Sequence, residues 1–173
     1  MNPQKKNRTN NQEGSSNIEE FERARSYLRL LLKYRPRTEE EAKNRLKDKD
    51  FSEEVISRLI DWAKRTGNLD DELFAQYFVE DRLQNKPTGR SGLYKQLLDH
   101  GVNPRTAKEV LDRKLSDLDG LKACRDLAKK RVKRYEGEDV KAKYRKTSSF
   151  LIRRGFSKGE VKQVLKEILF NDG

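Results

Sequence analysis

Apolar residues recur along most of this chain with the 3.6-residue period of an amphipathic helix. The first clear stripe comprises Ala24, Tyr27, Leu28, Leu31 and Leu32, which would share one face of a helix. Few segments alternate apolar and polar residues, and runs of β-branched residues are missing. Such alternation and such runs are what strands require. The pattern therefore predicts an all-α protein.

A short pattern of helix stop, apolar residue and helix start occurs three times. It is Asp50-Phe51-Ser52, then Gly101-Val102-Asn103, then Gly155-Phe156-Ser157. Glycine suits the left-handed position that ends a helix, and Ser or Asn caps the next one. A further helical stripe precedes each pair. The sequence thus predicts nine helices, arranged as three tandem three-helix, helix-turn-helix-like repeats in an elongated, curved chain.

The predicted domain boundaries follow from this repeat. Residues 1–17 are rich in Asn, Gln, Lys and Ser and bury too little apolar surface to offset the entropy of ordering, so they are predicted to form a disordered tail. The three-helix repeats are predicted at 18–66, 67–115 and 116–173.

Composition and charge narrow the class of function. Charged residues make up 40% of the 173 residues, against about 25% in an average soluble domain. The net charge is +11, of which residues 121–173 hold +9, with sixteen basic and seven acidic residues. Such a patch is typical of proteins that bind nucleic acid or another polyanion. With one Cys and one His, the chain forms no internal disulfide and no His/Cys zinc site.

No stretch is long and apolar enough for a membrane span or for the core of a signal peptide, so a cytoplasmic protein without a membrane partner is expected. The candidate contacts with DNA are the cations of the third repeat, some of which must be ordinary solvated surface. The primary candidates are Lys129, Lys130, Arg131, Lys133, Arg134, Lys141, Lys143, Arg145, Lys146, Arg153, Arg154 and Lys158, and the secondary candidates are Arg82, Lys86 and Arg90.

Two short motifs have both a chemical and a structural interpretation. Leu69-Asp70-Asp71 offers two carboxylates, but adjacent helical side chains point about 100° apart, so a helix N-cap is the favoured interpretation. Lys86-Pro87-Thr88-Gly89-Arg90 is similar to a fragment of a phosphate loop but lacks the strand and glycine spacing of one. A helix connection whose glycine adopts an unusual backbone angle is favoured instead.

Other residues are interpreted as structural. Four aromatic residues are assigned to core packing rather than to base stacking, because most of them lie on apolar stripes. Cys124 is interpreted as a small core residue, and His100 as a surface residue or a favourable charge at a helix C-terminus. The four aromatic residues are Trp62, Tyr77, Phe78 and Tyr94.

Two further motifs carry a family resemblance. They are Arg35-x-Arg37-Thr38-Glu39-x-Glu41 and Gly67-Asn68-Leu69-Asp70-Asp71-x-x-Phe74-Ala75, the second followed by Arg82, Lys86-Pro87-x-Gly89-Arg90-x-x-Leu93, Leu97 and Gly101-Val102. Together they resemble the RecX family, the bacterial modulators of the RecA recombinase. The resemblance covers about residues 20–170, and Asp50 stands where that family more commonly has Gly. It implies binding in the groove of the RecA–DNA filament, inhibition of RecA's ATPase and strand exchange, and a regulatory role in recombination, DNA repair and the SOS response, without enzymatic activity or a cofactor.

The alternative is a free-standing DNA-binding protein that is largely indifferent to base sequence. The repeated turn has no obvious Arg, Asn or Gln set aimed at base edges, so sequence-specific readout has little support. A nuclease is disfavoured because the sequence lacks a carboxylate cluster and a nucleophile–base pair. In either case a monomer is expected, which would bind single- or double-stranded DNA through its phosphates.

Overall fold

The computed structural model describes residues 4–115 and 117–170, and the side chains within 16–115 and 120–170. Over these ranges it contains nine α-helices and no strand, which confirms the predicted all-α fold. In the described residues, no helix combines the length and apolarity needed to cross a bilayer. The helices are α1 Gln4–Tyr34, α2 Glu39–Lys47, α3 Glu53–Arg65, α4 Asp71–Asn85, α5 Arg90–Asp99, α6 Pro104–Lys114, α7 Asp117–Lys133, α8 Val140–Arg153 and α9 Lys158–Phe170.

The first three helices and the last three helices pack as trios, as the repeat predicts. Helices α1, α2 and α3 pack against one another, α5 packs against α6, and α7, α8 and α9 form a second mutually packed trio. The chain divides into two compact units, one ending at Phe74 and the other beginning at Ala75. The division falls within α4. The domain boundaries predicted from the repeat, at 66/67 and 115/116, stay predictions.

The three repeated turns end their helices in the way the sequence predicts. Asp50, Gly101 and Gly155 have φ angles of 57°, 86° and 84°, which is the left-handed conformation that ends a helix. In each turn the N–H of the next residue reaches back to a carbonyl five positions earlier, as Phe156 does to Leu151 at 3.2 Å. Aspartate at position 50 therefore adopts the same turn as glycine.

Polar caps start the helices that follow these turns. Ser157 and Glu160 form a reciprocal capping box, with N–H to oxygen distances of 2.7 and 3.2 Å, as predicted. Asn103 accepts from the Arg105 N–H at 2.9 Å, ahead of Pro104 in the first turn of α6. The Thr38 hydroxyl accepts from the Glu41 N–H at 3.1 Å. Side-chain caps thus satisfy backbone N–H groups that the helix itself leaves without partners.

The apolar stripes form the cores. In the first unit, Ala24, Leu28 and Leu46 are buried together with residues of α3. In the second unit, Leu151 and Phe156 are buried with residues of α7 and α9. The repeat positions that aligned in sequence are therefore core positions in both cores.

The assignment of Tyr77 to core packing is wrong. Tyr77 is 55% exposed and Leu73 is 46% exposed, whereas Phe74, Ala75 and Val79 of the same helix are buried. The buried arc is centred on Ala75 and Val79, which are four residues apart.

The start of α1 also differs from expectation. The sequence predicts a disordered tail over 1–17, whereas α1 begins at Gln4; residues 1–3 lie outside the described residues. Residues 4–17 mix good helix formers such as Gln, Lys and Arg with poor ones such as Asn, Ser and Gly, and no proline interrupts them before Pro36. At the end of this segment, Asn17 donates to Glu54 at 3.2 Å and accepts from Arg58, both on α3.

Candidate functional site

The end of α7 and the turn after it present cations to solvent. Lys129, Lys130, Lys133 and Arg134 are all exposed. None of them forms an ion pair with another described residue. Cations that are exposed and not neutralised contribute fully to the local positive potential. These four primary candidates are therefore placed where an anionic partner would reach them.

Helix α8 carries a second group of exposed cations. Lys141, Arg145 and Arg153 are exposed, and with Ser149 they follow one another at four-residue intervals on a line that winds about 120° around the helix. Positions four residues apart are about 6 Å apart along a helix axis. Together these residues form a basic stripe along the length of α8. Lys158, in the first turn of α9, is also exposed, and Lys143 is half-buried.

Three of the twelve primary candidates make local contacts instead. The Arg131 guanidinium lies 4.5 Å from the centre of the Phe150 ring. Lys146 pairs with Glu138 at 2.5 Å. Arg154 lies 5.4 Å from the Phe150 ring. The Arg131 contact joins α7 to α8, whereas Lys146 and Arg154 contact the turn before α8 and a ring of α8 itself.

Two aromatic residues within this basic region were not selected from the sequence. Tyr135 lies between Arg131 and Lys146, at 5.4 and 5.2 Å from its ring centre, and Phe150 lies between Arg131 and Arg154. The signal was present as spacing, because 131 and 135 are four residues apart on one segment, as are 146, 150 and 154 on the next.

The structure does not gather the secondary candidates into one cluster. Arg82 packs over the Phe78 ring at 4.4 Å and donates to Gln96 at 3.1 Å. Arg90 pairs with Asp112 and donates to the Leu111 carbonyl. Lys86 is exposed. Two of the three cations therefore tie helices of the middle repeat together, and contact of any of them with DNA stays a prediction.

The segment containing Gly89 is a packing motif. The φ angle of Gly89 is −70°, so the expected unusual backbone angle is wrong. A Cβ atom on Gly89 would collide with the backbone of Gly155, and one on Gly155 would collide with Gly92. The Gly89 N–H donates to the Arg154 carbonyl at 2.9 Å, and the Ser91 hydroxyl donates to the Gly155 carbonyl at 2.7 Å. The glycines let the start of α5 touch the α8–α9 turn.

The two aspartates at the start of α4 have separate structural roles. Asp70 caps α4, accepting from the N–H groups of Glu72 and Leu73 at 2.9 and 3.0 Å. Asp71 accepts from the Glu39 N–H at 2.9 Å, and burial raises the pKa of its carboxyl despite that hydrogen bond. Within the described part of the chain, no three His, Cys, Asp or Glu side chains are grouped closely enough to hold a metal ion.

Most of the remaining candidates are packed as predicted. Cys124 is fully buried, and burial raises the pKa of its thiol to about 12, which favours the protonated thiol. Trp62 packs against the first core. Phe78 and His100 are half-buried with their ring centres 5.0 Å apart. Tyr94 lines a groove of about 600 Å³ with Lys108, Leu111 and Glu160.

Comparison with known proteins identifies the repeats. The family model described as the first three-helix domain of RecX matches residues 24–62, and the model of the third three-helix domain of RecX matches residues 117–165. Regulatory protein RecX of Chlorobium phaeobacteroides is 31% identical over 138 residues, covering 80% of this chain and 88% of that protein. Regulatory protein RecX of Clostridium acetobutylicum is 30% identical over 154 residues, covering 84% and 67%.

Solved structures agree with this fold. The crystal structure of RecX from Lactobacillus salivarius matches with a TM-score of 0.79 at 21% identity, covering 87% of this chain and 97% of that one. A second crystal structure, of a regulatory protein RecX, matches with a TM-score of 0.80 at 20% identity, covering 91% and 76%. At these identities the structural match establishes the fold.

Proposed function

Because the chain belongs to the RecX family, we propose that it regulates the RecA recombinase by binding in the groove of the RecA–DNA filament. Binding there inhibits RecA's ATPase and strand exchange. The protein acts as a cytoplasmic monomer, without catalysis or a cofactor of its own. Its partner is thus both a protein and a polyanion.

The observation that supports a DNA contact is the set of exposed cations on α7 and α8. Lys141, Arg145 and Arg153 lie along one helix, and none of them is neutralised by an ion pair with another residue the structure describes. Lys and Arg side chains that neutralise phosphates release condensed counterions, which gives salt-dependent binding without base specificity. The α8 stripe is therefore assigned to the DNA of the filament.

The test reverses the charge of that stripe. Lys141, Arg145 and Arg153 are changed together to Glu, and inhibition of RecA's DNA-dependent ATPase is measured at two salt concentrations. If all three contact phosphates, the slope of log affinity against log salt falls in magnitude by roughly 2 to 3. In the matched control, three exposed cations of α1 are changed to Glu, so its net charge changes as much as that of the α8 variant. They are Arg23, Arg29 and Lys33.

Each result has a definite meaning. Loss of inhibition by the α8 variant, with the α1 variant near wild type and both variants helical by circular dichroism, supports the assignment. Equal inhibition by wild type and the α8 variant at both salts contradicts a phosphate-facing role for the stripe. If the wild-type protein binds bare DNA as tightly as RecA-coated DNA, the free-standing DNA-binding alternative replaces the proposal.

A further inference from the structure

Five side chains at the junction of α7 and α8 alternate between cation and aromatic ring. Lys146 lies against the Tyr135 ring, Arg131 lies against both Tyr135 and Phe150, and Arg154 lies against Phe150. The distances from the cation to the ring centre are between 4.5 and 5.4 Å, within the range of a cation–π contact. We call this arrangement the cation–aromatic ladder.

The ladder carries more positive charge than its acidic neighbours neutralise. Glu138 pairs with Lys146, while no ion pair joins Arg131 or Arg154 to any residue in the described ranges. The Nε atom of Arg131 is buried, and no hydrogen-bond partner is described for it. The exposed cations Lys130 and Arg134 are next in sequence to Arg131 and to Tyr135. Aromatic rings in such surroundings are typical of sites that bind single-stranded nucleic acid.

The two rings of the ladder differ in what covers them. Phe150 packs against the third-repeat core and lies between two guanidinium groups, so it has a structural role. Tyr135 is half-buried in the turn between α7 and α8. One of the two cations on its ring is Lys146, whose side chain is 42% exposed.

The contact between Lys146 and the Tyr135 ring is the one that a nucleobase would replace. The Lys146 side chain is 42% exposed, so its cation–π contact with the ring is weak, and its pair with Glu138 lies near the surface, where ion pairs contribute little. Stacking of a base on an aromatic ring is the stronger of these interactions. The Lys146 ammonium group is on a flexible side chain, so a base that displaced it from the ring would leave it able to contact a phosphate.

From this geometry we propose that Tyr135 stacks on an unpaired base, so that the third repeat takes single-stranded nucleic acid in preference to duplex. The bases of a duplex are stacked on one another, and pairing holds their faces away from a side chain at the surface. The surrounding cations contact phosphates of either form. The inference deepens the proposed function by naming the form of DNA, and it is tested without RecA.

The experiment measures binding of the full chain to a short single-stranded oligonucleotide carrying 2-aminopurine, and to the same sequence as a duplex. Tyr135→Leu removes the aromatic face and keeps an apolar side chain. We expect it to weaken single-strand binding roughly 5- to 100-fold and duplex binding by less than about 2-fold. Tyr135→Phe keeps the ring and is expected to bind like wild type, with the same quenching of the fluorescent base.

Tyr77→Leu is the matched control, because Tyr77 is a tyrosine outside the ladder whose side chain is 55% exposed; it should change neither affinity. An equal loss of single-strand and duplex binding by Tyr135→Leu, or no loss, overturns the proposal, as does loss of stacking-induced quenching in Tyr135→Phe. None of these results bears on whether the protein inhibits RecA. If the wild-type protein binds single strands through Tyr135 but does not inhibit RecA, only the proposed function is contradicted.

Discussion

Gly67 and Gly155 have similar backbone conformations in different surroundings. Their φ angles are 69° and 84°, in the left-handed region that disfavours a side chain. A Cβ atom on Gly67 would meet nothing within 4 Å, whereas one on Gly155 would collide with the backbone of Gly92. Gly89 has an ordinary φ of −70°, but a Cβ atom on it would collide with the backbone of Gly155. The three positions therefore separate the conformational role of glycine from its steric role.

The cost of an alanine substitution should rise from Gly67 through Gly89 to Gly155. Gly67→Ala adds left-handed strain and should cost about 1–2 kcal/mol in free energy of unfolding. Gly89→Ala adds overpacking and should cost about 1–3 kcal/mol. Gly155→Ala adds both and should cost about 2–5 kcal/mol. Denaturant titration followed by circular dichroism measures all three. If Gly155→Ala costs no more than Gly67→Ala, the close approach of α5 to the α8–α9 turn is not tight.

At the scale of elements, the residues at helix ends determine where each helix begins and stops. The Ser157–Glu160 box and the Asn103 cap start α9 and α6 with bonds that the sequence predicted. Asp50 ends its helix at a φ of 57°, a conformation that costs aspartate more than it costs glycine. The Asp50 and Phe51 N–H groups donate to the Lys47 and Leu46 carbonyls, and a glycine would keep both bonds. The first repeat thus has a less favourable helix end than the other two.

Asp50→Gly should therefore stabilise the protein. We expect a gain of about 1 kcal/mol, from relief of the left-handed strain less the entropy cost of glycine in the unfolded chain. Asp48→Gly is the control, because Asp48 has an ordinary helical φ of −60° and makes an exposed contact with Arg45; it should lose about 0.5–1 kcal/mol. Thermal unfolding compares the two, and destabilisation by Asp50→Gly would contradict the assigned turn.

Local sequence patterns predicted the helices, whereas contacts between residues far apart in the sequence could not be predicted from it. The helical period and the caps placed nine helices, because each depends on residues within about eight positions. The ladder depends on Arg131 meeting Phe150, and on Tyr135 meeting Lys146, with Phe150 and Lys146 both on the next helix. The Gly89–Gly155 contact joins positions 66 residues apart. Neither is a periodicity, so both require the folded structure.

At the scale of the whole molecule, the charge is divided unevenly along the chain. Residues 121–173 hold +9 of the net +11, and residues 1–17 hold +2, from Lys5, Lys6 and Arg8 against Glu13. The exposed cations of α7 and α8 lie in the first of these segments. Binding to a polyanion should therefore depend mainly on the third repeat, with a small contribution from the first seventeen residues.

A chain that begins at Ile18 tests this division together with the contribution of residues 1–17 to stability. The described contacts of Asn17 with Glu54 and Arg58 are at exposed positions, where such bonds contribute little. We expect the melting temperature to fall by no more than a few degrees and the salt slope of DNA binding to change by less than about 2. A chain that begins at Ser16 keeps Asn17 and serves as the control. A large drop in melting temperature for both chains would mean that the residues before Ser16 pack against the first unit. A drop confined to the chain without Asn17 would locate that stabilisation in its bonds to α3.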